Sequence, residues 1–220
     1  MKRTLIIIAA LTVLIQTGLA QANDRHADAT KPKGAHPHGQ LENKAPVKLQ
    51  PGDLLFYRDT DGMGAAVNES TGQYTHVALV AEVGDTVWLI DATQRYGVSR
   101  RPFLRHADGA KPYPDVFRLT VPFDTSAVVA RALSFVGQPY DNAFLPDNGA
   151  LYCSELIQAC FCRSDGSPLF ESRPMNWRNA KGQLPRYWRR HFRKLKTPVP
   201  EGVPGTNPTD MSRSPLLQKL

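Results

Sequence analysis

Apolar positions recur along this chain with two periods, one helical and one of strands. From Cys153 the small or apolar positions are Cys153, Leu156, Ile157 and Cys160, the i, i+3, i+4, i+7 stripe of a helix with one buried face. Val128, Val129, Ala132, Leu133 and Val136 predict a second helix, with Asp124 or Ser126 as its cap and Gly137 and Pro139 as its stop. Trp188, Phe192 and Leu195 predict a third, amphipathic helix within Pro185 to Lys196. Strand-like runs bounded by turn residues cover Leu54 to Tyr57, Thr75 to Ala81, Thr86 to Ala92, Gly97 to Phe103 and Asp115 to Leu119. The Gly-rich piece from Asp59 to Gln73 reads as a loop, as does the polar piece from Arg105 to Pro114. From Thr197 onward the Pro- and Gly-rich tail has no periodicity and is expected to run over the surface.

The second and third strands are joined through Glu82-Val83-Gly84-Asp85, which suits a tight hairpin. With Gly84-Asp85 as the two-residue turn, His76 lies opposite Thr93 and diagonal to Asp91; with Val83-Gly84, His76 faces Asp91 directly. Either register puts imidazole and carboxylate on one face. A three-residue loop would reverse the parity and send Asp91 to the other side.

The ends of the chain differ in composition from its middle. Met1-Lys2-Arg3, an apolar run from Leu5 to Ile15 and the small residues up to Ala22 have the three zones of a secretory signal peptide, expected over 1–22. Residues 23–47 have almost no large apolar side chain and predict a disordered linker, with His26, His36 and His38 in it as solvated residues. The ordered domain is expected over 48–215, in an exported, periplasmic or extracellular protein.

The formal charge of +7 would fall to +5 on loss of Lys2 and Arg3. Arg186, Arg189, Arg190, Arg193, Lys194 and Lys196 carry six positive charges in one short segment, so the rest of the mature chain is close to neutral. One basic segment is a poor footprint for nucleic acid. It suits either packing of its aromatics onto the domain or contact with an anionic membrane surface. The three cysteines are expected to be free: Cys160 is two helical turns from Cys153, and Cys162 points to the other side.

Cys153 opens its helix, where unsatisfied N–H groups and the helix dipole favour an anion, so its thiol should lose a proton more easily than an ordinary one. A free cysteine is also an ordinary small core residue, and a partner base has to decide between the two. His76 opens an otherwise apolar strand, as a buried hydrogen-bonded residue or as a base. His106 and His191 sit in polar or basic surroundings. A carboxylate at Asp91 could hold one ring nitrogen of His76 and leave the other free to act.

Gly52-Asp53-Leu54-Leu55, Thr75-His76-Val77-Ala78-Leu79-Val80, Leu89-Ile90-Asp91-Ala92, Gly137-Gln138-Pro139-Tyr140-Asp141 and Tyr152-Cys153-Ser154-Glu155-Leu156 occur here in that order. In this the chain resembles the YiiX-like cysteine hydrolases, circularly permuted papain-fold members of the NlpC superfamily, over roughly residues 49–215. Histidine before cysteine is the permuted order. The resemblance implies an α+β, papain-like domain in which a small, mostly antiparallel sheet packs against the Cys153 and Val128 helices. It implies Cys153 as nucleophile, His76 as base and Asp91 as orienting group, with Tyr140 lining the substrate pocket and Glu155 bracing the helix. Many relatives have glutamate in place of Asp91, so Gln94 or Thr93 could stand in for this shorter carboxylate. No metal or organic cofactor is implied.

The chemistry implied is acyl transfer through a thioester. A cell-wall peptide such as peptidoglycan is the leading substrate class, a lipid-linked acyl group the enzyme runner-up, and a non-catalytic envelope-binding module the rival of another class.

Overall fold

The computed structural model describes residues 47–104 and 113–220. The expected signal segment, the linker with its three histidines, and His106 lie outside the described residues. In chain order the elements are β1 (Leu54–Tyr57), α1 (Gly62–Thr71), β2 (His76–Val83), β3 (Val87–Thr93), β4 (Gly97–Pro102), β5 (Asp115–Leu119), α2 (Thr125–Ser134) and α3 (Cys153–Cys160). After them come β6 (Arg173–Pro174), α4 (Arg186–Leu195), β7 (Pro204–Gly205), α5 (Pro208–Ser212) and β8 (Leu217–Lys219).

Six strands form one sheet in the order β4-β3-β2-β1-β5-β8, and each neighbouring pair is antiparallel. Alternation along the strands gives the sheet two apolar faces. Val77, Leu79, Ile90 and Ala92 meet Leu156, Ile157 and Cys160 of α3, with Val128 and Ala132 of α2 in the same cluster. Ala78, Val80 and Leu89 join Leu49, Leu55 and Val116 in another cluster. The fold is thus the expected α+β arrangement, with the predicted α3 stripe buried at all four positions. Asp124 caps α2 by accepting the N–H of Ala127 at 2.9 Å, while Leu133 and Val136, expected on its apolar face, are exposed.

The β2–β3 hairpin departs from the expected two-residue turn. Val83 pairs with Val87, so the loop is the three residues Gly84, Asp85 and Thr86. Such a loop alone would have put His76 and Asp91 on opposite faces. Between Val80 and Glu82 the register shifts, with Glu82 opposite Trp88 but Val80 opposite Leu89. The extra residue, Ala81, is a β-bulge, and it restores the parity that the loop reverses.

Two expected loops are structured. Residues Gly62–Thr71, with two glycines and little helix propensity, form α1 because tertiary contacts outweigh that preference. Trp188 of α4 donates its indole N–H to the carbonyl of Ala66 and the hydroxyl of Ser70, at 3.2 Å each, and Ala66, Trp177, Trp188 and Phe192 share a buried cluster. The tail does not run over the surface: Pro208, Thr209 and Met211 are buried, and Leu217–Lys219 pair with β5 beyond the expected boundary at 215. On α4 the expected stripe is buried at Trp188 and Phe192, whereas Leu195 is 40% exposed.

Gly97, at the β3–β4 turn, has φ +64°, and a Cβ there would lie 2.2 Å from the carbonyl oxygen of Gln138. That contact presses the segment leading to Tyr140 against β4, where Val98 and Gln138 share a backbone hydrogen bond of 2.9 Å. Gly97→Ala is therefore expected to lower unfolding free energy by at least roughly 1–3 kcal/mol, from a backbone conformation costly for alanine and a clash with main chain. Gly84→Ala, which would meet nothing within 4 Å, is the control and should shift the urea midpoint little.

Candidate active site

The first turn of α3 lies near the start of β2, and the two meet at Cys153 and His76. Cys153 is the first residue of α3 and is 6% exposed. The helix is braced where Glu155 accepts the N–H of Tyr152 at 3.4 Å. Burial pushes the Glu155 carboxyl up to about 7, with Asp141 and Asp147 adding to the rise. From the tail, the N–H of Thr206 donates to the Tyr152 hydroxyl at 3.0 Å. A Cβ on Gly205 would come within 2.8 Å of that hydroxyl, so only glycine lets the tail lie this close behind the cysteine.

His76 pairs with Tyr57 on β1, and the two rings are 5.5 Å apart. Its Nε2 is 2.8 Å from Oδ2 of Asp91, whose side chain has no exposed surface, and 17% of the His76 side chain is exposed. That contact leaves Nδ1 for Cys153. Burial alone would lower the imidazole pKa; hydrogen bonds to Asp91 and Cys153 and the negative charge on both outweigh it, raising it from 6.5 to about 10. For Asp91, burial alone would raise the carboxyl; hydrogen bonds and charge from His76 and Arg101 bring it down to about 2.

Arg101 is the member that the sequence reading did not single out. Its Nε donates to Oδ1 and Oδ2 of Asp91 at 3.0 and 3.2 Å, and its Nη2 also binds Oδ2. It hydrogen-bonds Tyr57 as well, while burial pushes that phenol up from its ordinary value. The signal was the adjacent pair Arg100-Arg101 in a strand, since alternation must turn one arginine to each face. Arg100 lies over the Trp88 ring at 3.9 Å, and Arg101 stands opposite Leu89 on the Asp91 side. Asp91 reaches His76 itself, and Gln94, expected as a stand-in, instead donates to Asn142 at 2.7 Å.

Around Cys153 and His76 opens a cleft of about 930 Å³. Met63, Val67, Phe144, Met175, Trp177 and Trp188 line an apolar part of it, and Arg58, Gln94, Arg95 and Asn176 line polar parts. Tyr140 lines it too. Burial first, then the charge of Cys153, pushes the Tyr140 phenol well above its ordinary value, and the hydroxyl contacts Met63 Sδ at 3.6 Å.

The other two cysteines are elsewhere. Cys160 is fully buried, and burial raises its thiol to about 12 against the opposing effect of Arg131. Cys162 lies past the end of α3 and donates to the carbonyl of Ala159 at 3.4 Å. All three are free. His191 is placed apart, with Nε2 2.7 Å from the carbonyl oxygen of Asn142 and its ring stacked on Tyr187.

In a comparison with solved structures, the fold aligns with the crystal structure of metalloprotein yiiX from Escherichia coli O157:H7. The TM-score is 0.63 at 18% identity, covering 78% of this chain and 96% of that one. Among the described residues, no group of three or more His, Cys, Asp or Glu side chains could hold a metal ion. The Asp91 carboxylate beside His76 does not fit a cation, because both its oxygens are already engaged by Arg101 and His76. The comparison with curated proteins found no match. A family model described as "Permuted papain-like amidase enzyme, YaeF/YiiX, C92 family" matches residues 48–220. The chain therefore belongs to the permuted papain-like amidases of the YaeF/YiiX family, the cysteine hydrolases of papain-like kind whose residue order its sequence resembles.

Proposed function

We propose that this protein hydrolyses amide bonds through a thioester formed on Cys153. The observation that carries the reading is the buried Asp91 holding His76 against the cysteine at the start of α3. His76 rests protonated at neutral pH, since its imidazole is raised to about 10, and it faces Cys153 as the proton donor. Sγ attacks the carbonyl carbon, and the oxyanion is held by free N–H groups in the first turn of α3. His76 gives its proton to the leaving nitrogen as the C–N bond breaks. It then takes a proton from water, whose oxygen attacks the thioester. The C–S bond breaks, releasing a carboxylic acid and regenerating Cys153 beside the protonated His76. Tyr140 lines the substrate's place beside the cysteine.

For substrate, the amidase family and the expected export signal support a cell-wall peptide. The apolar wall of the cleft favours a second reading, a lipid-linked acyl group in the same chemistry. Purified cell wall and acylated lipid offered in parallel separate the two. Binding to either without turnover of both would instead make the domain an envelope-binding module.

Iodoacetamide at mildly acidic pH is expected to label Cys153 first, read by peptide mass analysis, with Cys160 the slowest of the three. Cys153→Ala should abolish turnover without unfolding the domain, and His76→Ala should slow turnover by about 10²- to 10⁴-fold and slow the labelling as well. First reaction at Cys160 or Cys162, or turnover by Cys153→Ala, contradicts the mechanism.

The rate should hold to alkaline pH and fall as His76 loses its proton near 10. The fold shares this dependence. The raised His76 stabilises the protein fully below 6.5 and loses that effect as pH rises through about 10; the depressed Asp91 acts above 3.8 and loses its effect as pH falls through about 2. Asp91→Asn removes the carboxylate but leaves the Arg101 cation close by, so the alkaline limb of kcat/KM should move to lower pH. Adding Arg101→Gln should bring the limb part of the way back, a non-additive pair that a pH-rate profile of the four proteins would reveal.

A further inference from the structure

The exposed face of α4 takes no part in the site just described, although the same helix supplies its Trp188 wall. Arg186, Arg189, Arg190, Arg193 and Lys194 recur at spacings of three and one along the helix, and Lys196 caps its end in a left-handed conformation with φ 56°. All six side chains are exposed. No acidic residue lies among them, and among the described residues none of the six is in an ion pair. Elsewhere on the surface Arg100 pairs with Glu82, Arg178 with Glu201 and Arg213 with Asp210. An uncompensated block of like charge repels itself and stabilises nothing within the domain, so a partner of opposite charge is the natural complement.

We infer that this face docks the protein on an anionic phospholipid surface by charge alone, without insertion. The shape selects the partner. The cations stand on the outside of a convex helix, over about 12 Å of its length from Arg186 to Lys194. None of the six lines the cleft around Cys153. Insertion is disfavoured because most of the apolar side is already used: Trp188 and Phe192 are 1% and 2% exposed, packed against Trp177 and Phe144, and only Leu195 of the stripe is exposed. A helix that lies in a bilayer needs that side free. What remains is a peripheral contact whose strength falls steeply with salt. This inference does not depend on the hydrolytic chemistry.

The test is sedimentation of the full chain with vesicles of phosphatidylcholine alone and of phosphatidylcholine mixed with phosphatidylglycerol, at low and high salt. Binding is expected only to the mixed vesicles and only at low salt. Brominated acyl chains in the bound vesicles should leave tryptophan fluorescence unquenched. Replacing Arg189, Arg190 and Arg193 by glutamine should weaken binding about a hundredfold, at roughly fivefold per charge near such a surface. Because the three side chains are exposed, circular dichroism and Cys153 labelling should not change. No binding by the parent chain, equal binding to neutral vesicles, quenching by brominated lipid, or an unchanged variant would each overturn the inference.

Discussion

Asp91 is a carboxylate with no exposed surface, and it meets two partners, His76 on one side and Arg101 on the other. A lone buried charge of this kind costs several kcal/mol, so both partners are needed by the fold whatever the chemistry. The geometry also sets their roles apart. His76 and Arg101 together keep Asp91 ionised, the ionised Asp91 holds one imidazole nitrogen, and the other side of the ring faces Cys153. Tyr57, bonded to Arg101 and with its ring tilted against His76, closes the group on the β1 side.

Meeting that constraint demands a strand register that a simple hairpin would not give. The sequence placed His76 and Asp91 on adjacent strands and expected them on one face, and they are on one face. The route differs: a three-residue loop and the bulge at Ala81 each reverse the parity, and together they cancel. A bulge leaves little trace in a run as uniformly apolar as Val77 to Ala81, where either register buries similar side chains. The α3 stripe was legible for the opposite reason. Its four buried positions have one helical face and no competing arrangement.

The remainder was set by contacts distant in sequence. α1 has two glycines and few strong helix formers, and it is held by Trp188, more than a hundred residues away along the chain. The tail reads as irregular, yet Thr209 hydrogen-bonds both backbone groups of Tyr74, and Thr206 fastens onto Tyr152 beside Cys153. Arg101 belongs to the same class. Only pairing of β4 with β3 brings it to Asp91. The permuted order makes this arrangement coherent, since the strand carrying the histidine precedes the helix carrying the cysteine and the chain's end returns to the site.

The claim that Asp91 and Cys153 together hold His76 as an imidazolium is tested most directly by following the His76 ring by NMR across a pH titration of the intact protein. The account predicts a ring still protonated well above neutral pH, titrating near 10, and titrating at lower pH once Cys153 is replaced by alanine. A ring that titrates near 6.5 in both proteins would contradict it.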